Sequence, residues 1–263
     1  MIVHPNCFAS VRGQSVAVET LRRAIDKDQV HHAYRFEGLA GVGKERTAFA
    51  FARALLCERG GCGRCDVCDR LVVREGEAVP RHPDLILVGR ALYPPEVVGG
   101  KKEANEISVE QIRRIVLGRA GFSPHEGRAQ VFIIRGAEQL SLSAANALLK
   151  TLEEPRPQTH FVLLTDQPER LLDTIRSRTM PVRFGTLTDE HITAILREHE
   201  VPEARIGAAV DLADGSAAAA LAFADEEGAA ARTAFVESVL AAVAAPNLDA
   251  AVELGEGLPR DRH

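Results

Sequence analysis

Between an apolar run, Ala33 to Glu37, and a segment of helical spacing that opens at Lys44 stands Gly38-Leu39-Ala40-Gly41-Val42-Gly43-Lys44. A glycine, four residues, a glycine and a lysine is the spacing of a phosphate-binding loop. Such a loop works only where a buried strand feeds directly into a helix. Glycines let successive backbone N–H groups face one phosphate, the helix amino end adds positive potential, and the lysine reaches the outer phosphates. The same glycines would also serve a turn that merely packs a helix on a sheet. The motif alone therefore leaves two readings open for Gly38, Gly41, Gly43 and Lys44: residual nucleotide binding and a structural turn.

Two groups that hydrolysis requires are missing. Position 45 is Glu45, where a hydroxyl should hold magnesium, and a carboxylate there repels a triphosphate. Thr47 cannot replace it, since two residues along a helix turn the side chain by about 200°. After the apolar run Val131 to Ile134, where an acidic pair should hold the metal and polarise water, stand Arg135, Gly136 and Ala137. Glu138 follows later and reads as a solvent-facing turn residue. Hydrolysis in this chain's own pocket is not expected.

Four further apolar runs, Asp84 to Val88, Val131 to Ile134, His160 to Thr165 and Pro181 to Phe184, join the first in a five-stranded sheet. Helical spacing lies outside and between them at Gln14 to Asp28, Lys44 to Cys57, Val109 to Arg119, Ser143 to Glu153 and Glu169 to Ser177. Ser108 with Gln111 reads as a capping box, and Pro155 as a stop. The alternation predicts an α/β fold with a mostly parallel sheet and right-handed crossovers. Beyond Phe184 the strand pattern ends. Thr188 to Glu198, Glu203 to Ala213 and Ser216 to Ala224 read as three helices of a second, all-helical unit, and the alanine-rich stretch to Ala245 as further helix.

Composition removes other classes. The 32 Lys+Arg against 37 Asp+Glu leave a net charge of −5, which excludes a strongly basic, free-standing nucleic-acid binder. Aromatic residues at 5% with no tryptophan supply few stacking platforms for single strands. Arg113, Arg114, Arg119 and Arg128 could touch a DNA backbone within a complex or simply form a solvated surface. Hydrophobic residues at 46% exclude whole-chain disorder. Met1 to Ser10 has no basic cluster followed by an apolar core, and no run approaches the ~20 residues of a membrane span. A cytoplasmic protein with no membrane partner is expected.

Five cysteines are an odd number, and Cys57, Cys62, Cys65 and Cys68 fall in a C-x4-C-x2-C-x2-C pattern interleaved with Gly60, Gly61 and Gly63. Four thiolates on a short glycine-rich loop suit a closed, structural Zn2+ site in a reducing compartment. No position is left for a catalytic water. Cys7 reads as a small, half-buried hydrophobe and His82 as a turn residue before Pro83.

Together these segments resemble the delta-prime family of bacterial DNA polymerase III clamp-loader subunits, within the AAA+ superfamily. The most specific stretch is Ala144-Ala145-Asn146-Ala147-Leu148-Leu149-Lys150-Thr151-Leu152-Glu153-Glu154-Pro155. Support comes from Gln29 to Ala33, the four-cysteine insert, His82-Pro83-Asp84, and Glu169-Arg170-Leu171-Leu172 leading into Ile175-Arg176-Ser177-Arg178. The resemblance runs from residue 10 to residue 225. It implies an AAA+ P-loop core over 1–185 with a zinc module at 57–68, a helical lid over 186–227, and the start of a helical collar over 228–263 that would continue further in the family. It further implies a non-hydrolysing stator that joins gamma/tau and delta subunits in a hetero-pentamer and helps load the sliding clamp on primed DNA. Such a subunit has no activity alone and acts in trans on a partner's ATPase within a DNA-directed DNA polymerase holoenzyme, a nucleotidyltransferase complex. Arg178 falls where the family places an arginine finger, whose permanently charged fork can stabilise a γ-phosphate in the transition state by roughly 10³ to 10⁵ in rate.

Departures from the family pattern are Thr179 in place of a cysteine after Arg178, and Ala218 in place of a phosphate-sensing arginine. The rival within the family is an ATP-hydrolysing motor subunit of gamma/tau type. A rival of another class, a zinc module for nucleic acid, requires tight, salt-dependent DNA binding by the free chain.

Overall fold

The computed structural model describes residues 3–74, 76–98 and 106–244. In chain order they form α1 (Ser15–Asp26), β1 (Ala33–Glu37), α2 (Lys44–Leu56), α3 (Asp66–Arg70), β2 (Leu85–Val88), α4 (Pro95–Val98), α5 (Val109–Gln111), α6 (Gly118–Ala120) and β3 (Gln130–Ile134). Then follow α7 (Leu142–Glu153), β4 (Thr159–Thr165), α8 (Asp173–Arg176), β5 (Met180–Arg183), α9 (Asp189–Glu198), α10 (Glu203–Leu212), α11 (Ala217–Ala224) and α12 (Glu226–Ala244).

The five strands lie in the order β2-β3-β4-β1-β5, and every pairing is parallel. Because successive strand residues point to opposite faces, β1 to β4 divide their apolar residues between two cores, whereas the edge strand β5 buries only Val182. Tyr34, Phe36, Leu85, Leu87, Val131, Ile133, Val162 and Leu164 pack with Leu21 and Ile25 of α1 and Phe51 and Leu55 of α2. Ala33, Ile86, Val88, Phe132, Ile134, Phe161 and Leu163 pack on the other face with Ile112, Val116, Leu148, Leu152 and Ile175. The register agrees: Tyr34 sits opposite Val162 in one layer, and Ala33 opposite Phe161 in the other. Burial on both faces is why these runs read as continuously apolar.

All five expected strands form, each within a residue of its expected bounds, and the helices differ in two places. The segment from Val109 is α-helical only at its ends. Its middle, Ile112–Leu117, is π-helical, and the wider turn still buries Ile112, Ile115 and Val116. The single helix expected over Glu169 to Ser177 is instead a 3-10 turn, Pro168–Arg170, and the short α8. Leu171 and Leu172 between them are extended, which lets Leu171 and Ile175 both enter the core. Ser108 caps its helix through the Gln111 N–H (3.2 Å), but the Gln111 side chain turns to the Gly89 carbonyl (2.8 Å) rather than completing the box.

By packing, the chain divides into two units, Met1–His191 and Ile192–His263. The second is helical among the described residues and is built on Ile192, Ile195 and Leu196 of α9, Ile206, Ala209 and Val210 of α10, and Ala220 and Ala224 of α11. Of the collar segment expected from 228 onward, α12 is described as far as Ala244, and the rest lies outside the described residues.

Candidate functional sites

The glycine loop leaves the carboxyl end of β1 and runs into α2, at the strand ends where open parallel sheets place their ligands. Gly38 is required there, because a Cβ would lie 2.5 Å from the Phe184 carbonyl oxygen. Gln14 fastens the far side of the loop by donating to the Val42 carbonyl (3.1 Å) and the Gly185 carbonyl (2.8 Å). Lys44 folds back on its own loop, where Nζ donates to the carbonyls of Gly38 (2.5 Å) and Leu39 (2.7 Å). Burial lowers its pKa, against the opposing attraction of Asp166 and Glu138.

The two departures from an NTPase site meet in space. Glu45 lies in the first turn of α2 and Arg135 directly follows β3, and their side chains form a half-exposed ion pair. Thr47 is buried, with its hydroxyl donating to the Gly43 carbonyl (2.9 Å), so it faces away from the loop's mouth as helix geometry requires. Glu138 corrects the expectation of a solvent-facing turn residue. It is half-buried, and its Oε2 is shielded from solvent without a hydrogen-bond partner. The 3-10 turn Ala137–Gln139, two residues after β3, carries it inward. Asp166 also escaped the sequence reading. It follows β4, and only the pairing of β4 with β1 reveals that it faces the loop.

Arg178 lies at the other end of the sheet. It precedes β5, beside His31 and His32 before β1, and these residues line a cleft of about 660 Å³ together with Leu152, Glu153 and Ser177. The guanidinium is held rather than free: Nη1 donates to the Thr174 carbonyl (2.9 Å) and Ser177 Oγ (3.3 Å), and Nη2 pairs with Glu153. Nε is buried without a partner. His31 and His32 stack with ring centroids 4.2 Å apart, and burial, then the neighbouring His31, holds the His32 pKa down.

Thr179 has a local purpose. Its buried hydroxyl donates to the Ile175 carbonyl (2.9 Å) and accepts from Arg35 Nη1 (2.7 Å), an arginine of β1 that also donates to the Arg176 carbonyl (3.0 Å) and pairs with Glu37 (2.5 Å). Arg35 is 6% exposed, and the sequence reading gave it no role, since nothing local shows that its partners at residues 176 and 179 come to meet it.

The four cysteines converge. One ligand sulfur from each of Cys57, Cys62, Cys65 and Cys68 lies within 4.8 Å of all the others, so they could hold a metal ion. A tetrahedron with metal–sulfur bonds of about 2.3 Å has edges of about 3.8 Å. The observed separations of 3.8 Å for Cys57–Cys62 and 3.6 Å for Cys57–Cys65 fit that geometry. Gly63 N–H donates to Cys68 Sγ (3.3 Å), the kind of contact that stabilises a thiolate ligand. Gly61 sits at φ +89°, and a Cβ there would meet Cys7 Sγ at 2.3 Å. Cys7 is fully buried rather than half-buried. Its thiol donates to the Ala50 carbonyl (3.2 Å), and burial pushes its pKa up to about 11. It supports the loop from beneath.

His82 turns the chain before Pro83, as expected, and is itself buried, accepting the Asp84 N–H on Nδ1 (3.1 Å). Asp84 is fully enclosed and accepts the backbone N–H groups of His125 (2.5 Å), Glu126 (2.9 Å) and Gly127 (2.7 Å). Glu126 then pairs with Arg70 of α3 through two bonds (3.0 and 2.6 Å), which tethers this loop to the cysteine module.

No helix among the described residues is long and apolar enough to cross a membrane. The family model described as DNA polymerase III, delta subunit, matches residues 13–188. DNA polymerase III subunit delta' of Bacillus subtilis is 36% identical over 188 residues, 72% of this chain and 52% of the relative. DNA polymerase III subunit tau of Escherichia coli is 35% identical over 206 residues, 77% of this chain and 29% of the relative. The chain thus spans about half the length of the first and under a third of the second. Among solved structures, a DNA polymerase III gamma subunit-related protein from Thermotoga maritima superposes with a TM-score of 0.50 at 18% identity, covering 89% of this chain and 68% of that one. The chain belongs to the DNA polymerase III delta-subunit family, and its matched segment lies on a parallel five-stranded α/β core that carries the four-cysteine cluster.

Proposed function

We propose that this chain is a clamp-loader subunit that does not hydrolyse ATP itself and supplies Arg178 to ATP held by a neighbouring subunit. The carrying observation is the placement of two sites at opposite ends of β1. The glycine loop follows Glu37, whereas Arg178 lines a cleft with the residues that precede Ala33. Five residues at about 3.3 Å each put about 16 Å of strand between the ends. Arg178 is thus badly placed for its own loop and well placed for a triphosphate on another molecule. The pair Glu45–Arg135 supports the other half of the reading, because the two positions that would cooperate around magnesium carry opposite charges that neutralise each other.

In this reading residues 1–185 form the AAA+ core, 186–227 the lid and 228–263 the start of a collar. The exposed Phe235, Val236, Leu240 and Val243 of α12 suit a helix that is covered by gamma/tau and delta subunits in a pentamer. The assembly would load a sliding clamp on primed DNA in the cytoplasm. Zinc is the metal proposed for the cysteine cluster. It would be a structural ion, since four thiolates leave no open position. Its chemistry there is to crosslink the loop, and this chain's contribution is the spacing of the four sulfurs and the backbone N–H groups directed at them.

The likeness to tau favours a second reading, an ATP-hydrolysing motor of gamma/tau type. Reconstitution with motor subunits separates the two. The stator reading expects no magnesium-dependent turnover by the chain alone, and expects Arg178→Ala to slow hydrolysis at the site it faces by about 10³. Turnover by the free chain that disappears in Lys44→Ala would establish the motor reading. Unchanged ATPase in the Arg178→Ala assembly would remove the trans role.

A further inference from the structure

We propose that Glu153 is a positioning residue for Arg178: an internal carboxylate that holds the guanidinium in the free chain and yields it to a phosphate brought by a neighbouring subunit. The inference rests on the trans role of Arg178 proposed above and adds to it how that role is switched. Glu153 is the last residue of α7, and Arg178 lies in the turn between α8 and β5, so the contact joins two elements that the chain separates widely.

The hold is incomplete. A guanidinium offers Nε–H and one Nη–H along a single edge, a fork that two oxygens of a carboxylate or phosphate fill together. Here Glu153 meets the Nη2 side, while Nε is buried with no acceptor. Two oxygens of a terminal phosphate would complete the edge, and they carry more charge than one carboxylate. The pair is also weak enough to exchange, since the Arg178 and Glu153 side chains are 32% and 45% exposed. Around them the cleft is wide, and Ser177 and the stacked His31 and His32 give it polar walls.

A latch differs from a structural prop in what its loss does. Glu153→Gln removes the competing charge and keeps the shape. In the reconstituted complex it should lower the KM for ATP by about two- to fivefold, the range set by an exposed ion pair, with kcat retained. Glu153→Asp should restore the wild-type KM. In the free chain, titrated with pyrophosphate by calorimetry, Glu153→Gln should tighten binding by a similar factor, and adding Arg178→Ala should abolish the gain. An unchanged KM, a collapse of kcat like that of Arg178→Ala, or pyrophosphate binding indifferent to Glu153→Gln would each overturn the latch. The pyrophosphate titration needs no neighbour, so it tests the exchange even if Arg178→Ala leaves the assembly's ATPase untouched and the trans role itself fails.

Discussion

Replacing Asp84 by alanine removes one carboxylate and strands three backbone donors, those of His125, Glu126 and Gly127, now bonded at 2.5, 2.9 and 2.7 Å. A buried donor left unpaired costs about 1–3 kcal/mol, and bonds to a charged acceptor lie toward the upper part of that range. Residues 125 and 126 are exposed at their side chains, however, so water can reach part of the vacated space. Each donor then counts near the lower limit, which gives a loss of about 3 kcal/mol. Asp84→Asn keeps one carbonyl oxygen but turns an NH₂ toward a donor, and should fall about midway. Urea unfolding measures the loss, and amide exchange locates it, since exchange at 125–127 should accelerate while that of β1 and β4 follows global stability only. A loss below about 0.5 kcal/mol with unchanged exchange at 125–127 would refute the argument that this carboxylate organises the loop.

Restoring the absent metal positions with Glu45→Thr and Arg135→Asp should raise magnesium-dependent affinity for a fluorescent ATP analogue by about tenfold or more; wild-type affinity already equal to that of the double variant would contradict the neutralised site. Metal analysis of reduced protein should find about one zinc per chain, lost to chelators and absent in Cys65→Ser. Its affinity should weaken as pH falls, because ligation expels thiol protons: backbone hydrogen bonding, from Arg64 first, brings Cys62 down to about 6, while burial pushes Cys68 well up. His82 and His160 are both held below their ordinary 6.5, chiefly by burial, so the folded state binds their protons more weakly than the unfolded one. Stability from these two is complete above the unfolded value of about 6.5 and is lost as pH drops through the folded values, so Tm should decline as pH falls below about 7. A flat profile would show that neither imidazole is buried neutral.

The order of strands and helices was legible in the sequence because four of the five strands are buried on both faces and therefore written as mostly apolar runs that turn residues interrupt. Gly38 stood out in the sequence only through the spacing of its loop; that a Cβ there would meet the Phe184 carbonyl is shown by the fold. The cysteine spacing was equally explicit, as a short loop around one ion leaves little freedom in sequence. Where a feature depended on which strands become neighbours, the sequence was silent. Asp166 and Glu138 face Lys44 because β3, β4 and β1 lie side by side, although residues 44 and 166 are far apart in the chain. Arg35 lies buried in β1 and is tolerable there only because Thr179, Glu37 and the Arg176 carbonyl come to meet it. The sequence determined which groups were lost at positions 45 and 135, one by one; the tertiary structure alone decided that they neutralise each other. It also decided that Arg178 is clasped by Glu153. Local periodicity records burial, whereas the pairing of charges across a sheet is a property of distance in space, which a linear chain does not carry.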